Sequence, residues 1–250
     1  MTKSSNIQIK KVNNGKKQGQ QAPWGNLFGY ILKAICKKYS SLNNIQNKAT
    51  KLSDDFSKFL EEIKFEVYEL KKIDPITLIC FLTSNKATRK VRIETFLSIF
   101  KINVNNIILN NLMGIPSRNL FTMAKKYKEK YPTDELWELA LDISKGRLKG
   151  QKIKALFNKI ILENTGVKVT NLSAMMYLFN PKEYYCIDKR GAQKLLKLPT
   201  VDKDICQILE RISGDVYDSY GWDEFSNIQK LCRDNKNIIG TPYQLYLNSH

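Results

Sequence analysis

The part of the sequence that most limits the possible folds is a pair of helical patterns within residues 151–180. In the first, apolar residues recur at one helix face, at positions 153, 156, 157, 160 and 161. Gly166 follows that face, where a left-handed C-terminal cap forms most easily. The second pattern starts with Thr170 as a candidate N-cap, and it stops before Pro181. Its apolar side is Leu172, Met175, Met176 and Phe179. Two helices joined by a short glycine turn predict a helix–hairpin–helix over residues 151–180.

The same spacing predicts helices along most of the remaining chain. They cover residues 24–42, 53–73, 86–101, 103–113, 117–131, 201–212 and 222–232, with a short buried helix after Asp74-Pro75 and another opened by Thr133. In the helix over 86–101 we expect Arg89, Lys90 and Arg92 to be exposed and Val91 to be buried. Because no sustained period-2 alternation occurs, the pattern predicts an all-α, multi-helix globular protein.

The composition divides the chain into three parts. Residues 1–23 are polar and basic and hold too little apolar surface to order themselves, so we expect a flexible, disordered tail. Residues 24–238 carry the helical patterns and form one domain, which contains the helix–hairpin–helix at 151–180. Residues 239–250 are mostly polar and are expected to form a C-terminal tail.

The charge distribution indicates an anionic partner. The formal net charge is +17, and the first 53 residues hold ten lysines and no acidic residue. A long polyanion or an anionic membrane surface suits such a protein. The amphipathic helix over 24–42 can lie on a membrane, but packing on the domain core is the favoured interpretation for an internal helix. We therefore predict a nucleic-acid partner, with DNA favoured over RNA, and no membrane partner.

Cysteine and histidine usage excludes several kinds of site. The five cysteines are widely spaced without a C-x-x-C pair, and the only histidine is His250. Zinc ribbons, iron–sulfur clusters and histidine-based triads therefore have no support, and we predict neither a metal nor a cofactor. Since no secretory signal or membrane-spanning run is present, we expect an intracellular, reducing location, nuclear or cytoplasmic.

A basic, glycine-containing segment lies just before the hairpin, SKGRLKGQKIK over residues 144–154. Its candidate phosphate ligands are Lys145, Arg147, Lys149 and Lys152. It lacks the pattern of a nucleotide-binding P-loop. A solvated loop between helices is the alternative interpretation of this charge run.

The hairpin and the residues after it resemble the helix–hairpin–helix DNA glycosylase superfamily. Thr165-Gly166-Val167 stands where that family has Pro-Gly-Val, and Asp188 follows a proline and an aromatic loop, as the family's pocket aspartate does. Lys168 replaces the second hairpin glycine, and in that register Thr170 takes the place of the lysine nucleophile. A register shifted by two residues makes Lys168 the nucleophile. The chain is similar also to non-catalytic helix–hairpin–helix-like modules.

The resemblance implies a set of site residues. Asp188 would be the catalytic carboxylate of base excision, and Lys168 the nucleophile in the shifted register. Gly166, Val167, Lys168 and Thr170 would grip the DNA backbone, Tyr184 and Tyr185 would stack on a displaced base, and Lys189 and Arg190 would meet phosphates.

Each of these roles has an alternative. Asp188 is first of all suited to cap a helix, and a pair such as Tyr184 and Tyr185 more often packs on a neighbouring helix. The leading hypothesis is a DNA-interacting protein, a possible glycosylase-like hydrolase. The alternatives are a non-enzymatic nucleic-acid-binding module and an RNA or ribonucleoprotein component. Protein partners stay open.

Overall fold

A computed structural model describes residues 21–25, 27–38, 74–83, 89–99, 101–103, 109–112, 115, 133–144, 151–162, 167–214 and 220–249. Throughout these residues the regular structure is helical and no strand occurs, which confirms the all-α prediction. The helices of the first half are α1 (Leu27–Lys38), α2 (Pro75–Thr83), α3 (Arg89–Ile99), α4 (Thr133–Ser144), α5 (Gln151–Leu162) and α6 (Val169–Phe179). Those of the second half are α7 (Lys189–Leu195), α8 (Lys203–Ser213), α9 (Trp222–Asp234), α10 (Lys236–Ile239) and α11 (Pro242–Ser249).

Helix α6 is the centre of the first core. Every residue from Asn171 to Phe179 is buried, because α1, α2 and α4 all pack against this helix. Met175 and Met176 are 1% and 0% exposed, which confirms that they are core residues. A helix that is buried on all sides has to be apolar all round, as the sequence VTNLSAMMYLF nearly is.

Helix α1 packs into this core rather than lying on a surface. Trp24, just before the helix, meets the rings of Phe28 and Tyr177 edge-on, with centroids 5.9 and 5.7 Å apart. At Gly29, α1 and α6 approach so closely that a Cβ on this residue would lie 2.5 Å from the carbonyl oxygen of Phe179. Core packing is therefore confirmed for this amphipathic helix. Among the helices that can be described, none has the length and apolar character to cross a bilayer.

A second core lies among the C-terminal helices, and an extended segment, residues 184–187, separates it from the first. Tyr185 and Ile187 belong to the second core, whereas Cys186 belongs to the first and Tyr184 packs against it. Successive side chains of an extended chain point to opposite sides, so one short segment contributes to both cores.

Three local expectations differ from the structure. Arg89 and Arg92 are buried and Val91 is 53% exposed, the reverse of the expected face of α3. Arg89 donates to the carbonyl oxygens of Thr83, the last residue of α2, and of Leu112. The Thr83 carbonyl lies at the end of α2, where it has no N–H partner within the helix, and the Leu112 carbonyl lies in a loop. The buried guanidinium of Arg89 donates a hydrogen bond to each of them.

The other two differences concern helix ends. Residues 242–249 of the expected C-terminal tail form α11, with Tyr243 and Leu245 buried. Thr170 does not cap α6, because that helix begins one residue earlier, at Val169. Of the flexible tail expected over residues 1–23, residues 1–20 lie outside the described residues, whereas Ala22 is 7% exposed and belongs to the first core. The helices expected over 53–73 and 117–131 also lie outside the described residues.

Candidate nucleic-acid interface

Two side chains from different helices hold the backbone of the extended segment. The Gln229 amide, on α9, accepts from the Tyr185 N–H and donates to the Tyr185 carbonyl, both at 2.9 Å. On the other side, Ser173 Oγ of α6 accepts from the Ile187 N–H and contacts the Ile187 carbonyl, both at 3.1 Å. A buried backbone without such partners would be strongly destabilising, so these two residues make the segment possible.

Asp188 directly follows this segment and directly precedes α7. Its backbone is extended, and its Oδ1 accepts from the Gly191 N–H at 3.0 Å. The N-cap interpretation of Asp188 is thereby confirmed. The first turn packs tightly, since a Cβ at Gly191 would lie 3.0 Å from the Cys186 carbonyl oxygen. Asp188 is 8% exposed, so most of the carboxylate is covered, and its catalytic role stays a hypothesis.

The outer side of α7 is basic. Gly191, Ala192 and Leu195 face the core, while four exposed cations lie on α7 or just beyond its end, here called the α7 basic face: Lys189, Arg190, Lys194 and Lys197. Arg190, Lys194 and Lys197 follow the i, i+4, i+7 spacing of one helix side. Within the described part of the chain these three make no ion pair. Their charges are therefore available to an anionic ligand.

The start of α6 lies at the same end of the molecule as the start of α7. Ser173 Oγ lies 3.0 Å from the Thr170 carbonyl oxygen and also contacts Ile187, so it joins the two regions. Lys168 directly precedes α6 and is half-buried. The structure thus brings Lys168, Thr170 and Asp188 to one end. Val167, however, is 7% exposed and belongs to the first core, so its side chain does not face a ligand. Gly166 lies outside the described residues.

The two tyrosines are not free to stack on a base. Tyr185 is 2% exposed, and its hydroxyl donates to the Gly240 carbonyl oxygen at 3.1 Å. Burial raises the pKa of Tyr185 to about 12, and it raises the pKa of Tyr184 as well. Tyr184 is half-buried against the first core. The packing interpretation of this pair therefore replaces the stacking one.

Of the four candidate phosphate ligands in the basic segment, residues 144–154, the structure describes only Lys152. Lys145, Arg147 and Lys149 lie outside the described residues. Lys152 is exposed on α5 and forms an ion pair with Glu138 of α4. The hydrogen bond that Lys152 donates to this carboxylate raises the pKa of Lys152. A phosphate would have to compete with Glu138 for the ammonium group, so Lys152 is a weaker ligand than the cations of α7.

The sequence interpretation missed Ser173 and Gln229. Each is a buried polar residue on an apolar helix side, 0% and 2% exposed. Gln229 lies beside Ile228, four residues after the buried Phe225, so it shares the core stripe of α9. A buried polar side chain on an apolar helix side requires a hydrogen-bond partner. The sequences of α6 and α9 therefore already indicated that Ser173 and Gln229 each bind a buried group.

One comparison with known proteins gives a match. A family model described as "Domain of unknown function (DUF8425)" matches residues 30–226, which is well over half of the chain. No curated protein and no solved structure matches it. The matched range contains α6, the extended segment and the α7 basic face, and it ends before Gln229.

Proposed function

Since the chain belongs to the family described as a domain of unknown function (DUF8425), we propose its function from the geometry: it binds nucleic acid, and the α7 basic face contacts the phosphate backbone. The observation that carries this proposal is the exposure of Arg190 and Lys194 on α7 and of Lys197 just beyond its end, with no ion pair inside the described part of the chain. Cations that have no carboxylate partner release counterions when they meet phosphates, which drives binding to a polyanion.

The surroundings of α7 support a fixed interface. The helix is capped by Asp188, and the segment before it is held by Ser173 and Gln229. Leu195 and Ala192 are fully buried in the second core. A rigid helix places its charges without a large ordering cost at the moment of binding.

DNA is the partner that the resemblance to the glycosylase superfamily favours. The lysine-rich residues 1–23 would add sequence-independent charge to the same interaction, because they hold five lysines and no acidic residue. RNA binding is the competing outcome. Competition between duplex DNA and duplex RNA of equal length separates the two.

Base excision is the second candidate function, and one observation favours it. Asp188 lies at the start of the helix that carries the basic face, next to Lys189 and Arg190. A carboxylate at that place would oppose positive charge that develops on a deoxyribose as the N-glycosidic bond breaks. The chemistry requires a lesion to reach a side chain that is 8% exposed, so a local opening would accompany it.

The binding proposal is tested by removing three charges from α7. We expect the triple variant Arg190→Gln, Lys194→Gln, Lys197→Gln to bind duplex DNA more weakly in fluorescence anisotropy. The slope of log affinity against log salt should fall by about 2–3, at roughly 0.9 for each lost phosphate contact.

A matched control removes the same number of charges from other exposed positions, Lys37→Gln, Lys203→Gln and Lys236→Gln. These positions lie on α1, α8 and α10, and none of them belongs to the α7 basic face. The control should keep the slope of the unsubstituted protein within about 1 unit. Equal slopes for the two triple variants would mean that α7 is not the interface and that net charge alone governs binding.

A further inference from the structure

A groove between α8 and α9 has the opposite charge to the rest of the molecule. Its volume is about 590 Å³. Its floor is apolar, formed by Ile205, Ile208 and Leu231. Its rim carries five carboxylates and one lysine: Asp202, Asp204, Asp223, Glu224, Asp234 and Lys230. In a protein of net charge +17, this concentration of acids identifies a surface that repels nucleic acid and attracts a cationic ligand.

The rim carboxylates are spread along the groove. Asp202 caps α8 by accepting from the Ile205 N–H, Asp223 pairs with Lys154, and Asp234 pairs with Lys230. Among the described residues, no group of three or more carboxylate, cysteine or histidine side chains is arranged to hold a metal ion. An elongated ligand with several separated positive charges and some apolar side chains fits such a groove better than a single ion does.

We propose that, in the absence of nucleic acid, this groove binds the chain's own lysine-rich segment, residues 1–20. The segment carries Lys3, Lys10, Lys11, Lys16 and Lys17 and no acidic residue, together with Ile7, Ile9 and Val12. Lysines would meet the rim, and the aliphatic side chains would meet the floor of Ile205, Ile208 and Leu231.

The segment is long enough to reach the groove from where the described chain begins, at Gln21. Twenty extended residues span about 66 Å, at roughly 3.3 Å a residue. A helical domain of this size has a radius of gyration of about 17 Å, so the whole surface lies within reach. Covalent attachment also gives the segment an effective concentration in the millimolar range, well above that of a second copy in dilute solution.

Amine cross-linking of the full chain tests the inference without nucleic acid. Lys230 lines the groove, and the exposed Lys203 stands between the lining residues Asp202 and Asp204 in the sequence. Both react with a short amine-specific cross-linker, as do the lysines of residues 1–20. We expect cross-linked peptides, found by mass spectrometry, that join the segment to Lys203 or Lys230. In the variant Asp204→Asn, Asp223→Asn, which keeps every reacting amine, their yield should fall about threefold or more.

The matched control Glu183→Gln, Glu210→Gln removes the same charge from exposed positions outside the groove, and it should keep the yield. Circular dichroism melting checks that both double variants are folded. Equal yields in the two variants, or no cross-link to the groove in the unsubstituted chain, would overturn the inference. Mixing isotopically labelled and unlabelled chains identifies the donor, and cross-links between the two populations would also overturn it, by assigning the groove to the segment of a second copy.

Discussion

Replacing Gln229 with methionine should destabilise the protein although it preserves the shape of the side chain. Gln229 is 2% exposed, and its amide makes two hydrogen bonds with the backbone of Tyr185, both 2.9 Å long. Methionine fills a similar volume but leaves a buried N–H and a buried carbonyl without this partner. Because each of the two orphaned groups costs about 1–3 kcal/mol, we expect the free energy of unfolding to fall by about 2–6 kcal/mol.

Urea denaturation followed by circular dichroism measures this change. The matched control is Gln193→Met on the exposed side of α7, which should alter the free energy of unfolding by no more than about 0.5 kcal/mol. Comparable m-values for both variants would show that the unfolded states are alike. If Gln229→Met were as stable as Gln193→Met, the two hydrogen bonds between Gln229 and the Tyr185 backbone would contribute nothing to stability, and the reasoning would be refuted.

Three further predictions follow from single positions. Gly29→Ala should lower the free energy of unfolding by about 1–3 kcal/mol, because its Cβ would lie 2.5 Å from the Phe179 carbonyl oxygen, and this outweighs the gain that alanine normally brings to a helix. Asp188→Ala should cost about 1 kcal/mol and Asp188→Asn much less, since asparagine keeps an acceptor for the Gly191 N–H. Ionisation of Tyr185 should lower the stability as the pH rises from 10 to 12. Burial raises the pKa of Tyr185 from 10 to about 12. Between these two values the folded state keeps the hydroxyl proton of Tyr185, whereas the unfolded state has lost it.

Thermal denaturation, followed by circular dichroism, measures the stability change in all three predictions. A higher melting temperature for Gly29→Ala would mean that α1 and α6 separate without cost. Equal losses for the two Asp188 variants would show that the cap hydrogen bond is not what stabilises α7. For the pH prediction, Tyr185→Phe should flatten the decline between pH 10 and 12, and an unchanged slope would assign the decline to other groups. If the protein excises a base, Asp188→Asn should fold, bind DNA and form no abasic sites in lesion-containing duplexes.

The sequence predicted most of the helices whose apolar side faces one core. Helices α5, α6 and α9 begin and end within a few residues of their predicted bounds, because periodicity, glycine and proline all agree there. The C-terminal helix α11 was predicted as a tail, although Thr241-Pro242-Tyr243-Gln244 is a capping box with proline at the first helical position. The Gln244 side chain accepts from the Thr241 N–H, and the Thr241 hydroxyl from the Gln244 N–H.

Tertiary partners decided what the sequence could not. Arginine is exposed in most helices, and the hydrogen bonds from Arg89 to the carbonyl oxygens of Thr83 and Leu112 explain why it is buried. Asp188 was predicted as a cap or as a catalytic residue, and periodicity alone could not decide between them. The cap follows from the geometry of the first turn of α7. The basic face itself was only half predicted, because Lys189 and Arg190 were named whereas Lys194 and Lys197 were not, although a helix opened by Asp188 was expected.

The central claim, that α7 contacts nucleic-acid phosphates, is tested most directly by lysine footprinting. The protein is acetylated with and without saturating duplex DNA, and modification of each lysine is measured by mass spectrometry. We predict that Lys189, Lys194 and Lys197 become protected, while Lys203 and Lys236, which are exposed on α8 and α10, react as before. Equal reactivity of the α7 lysines with and without DNA, while the protein is bound, would contradict the claim.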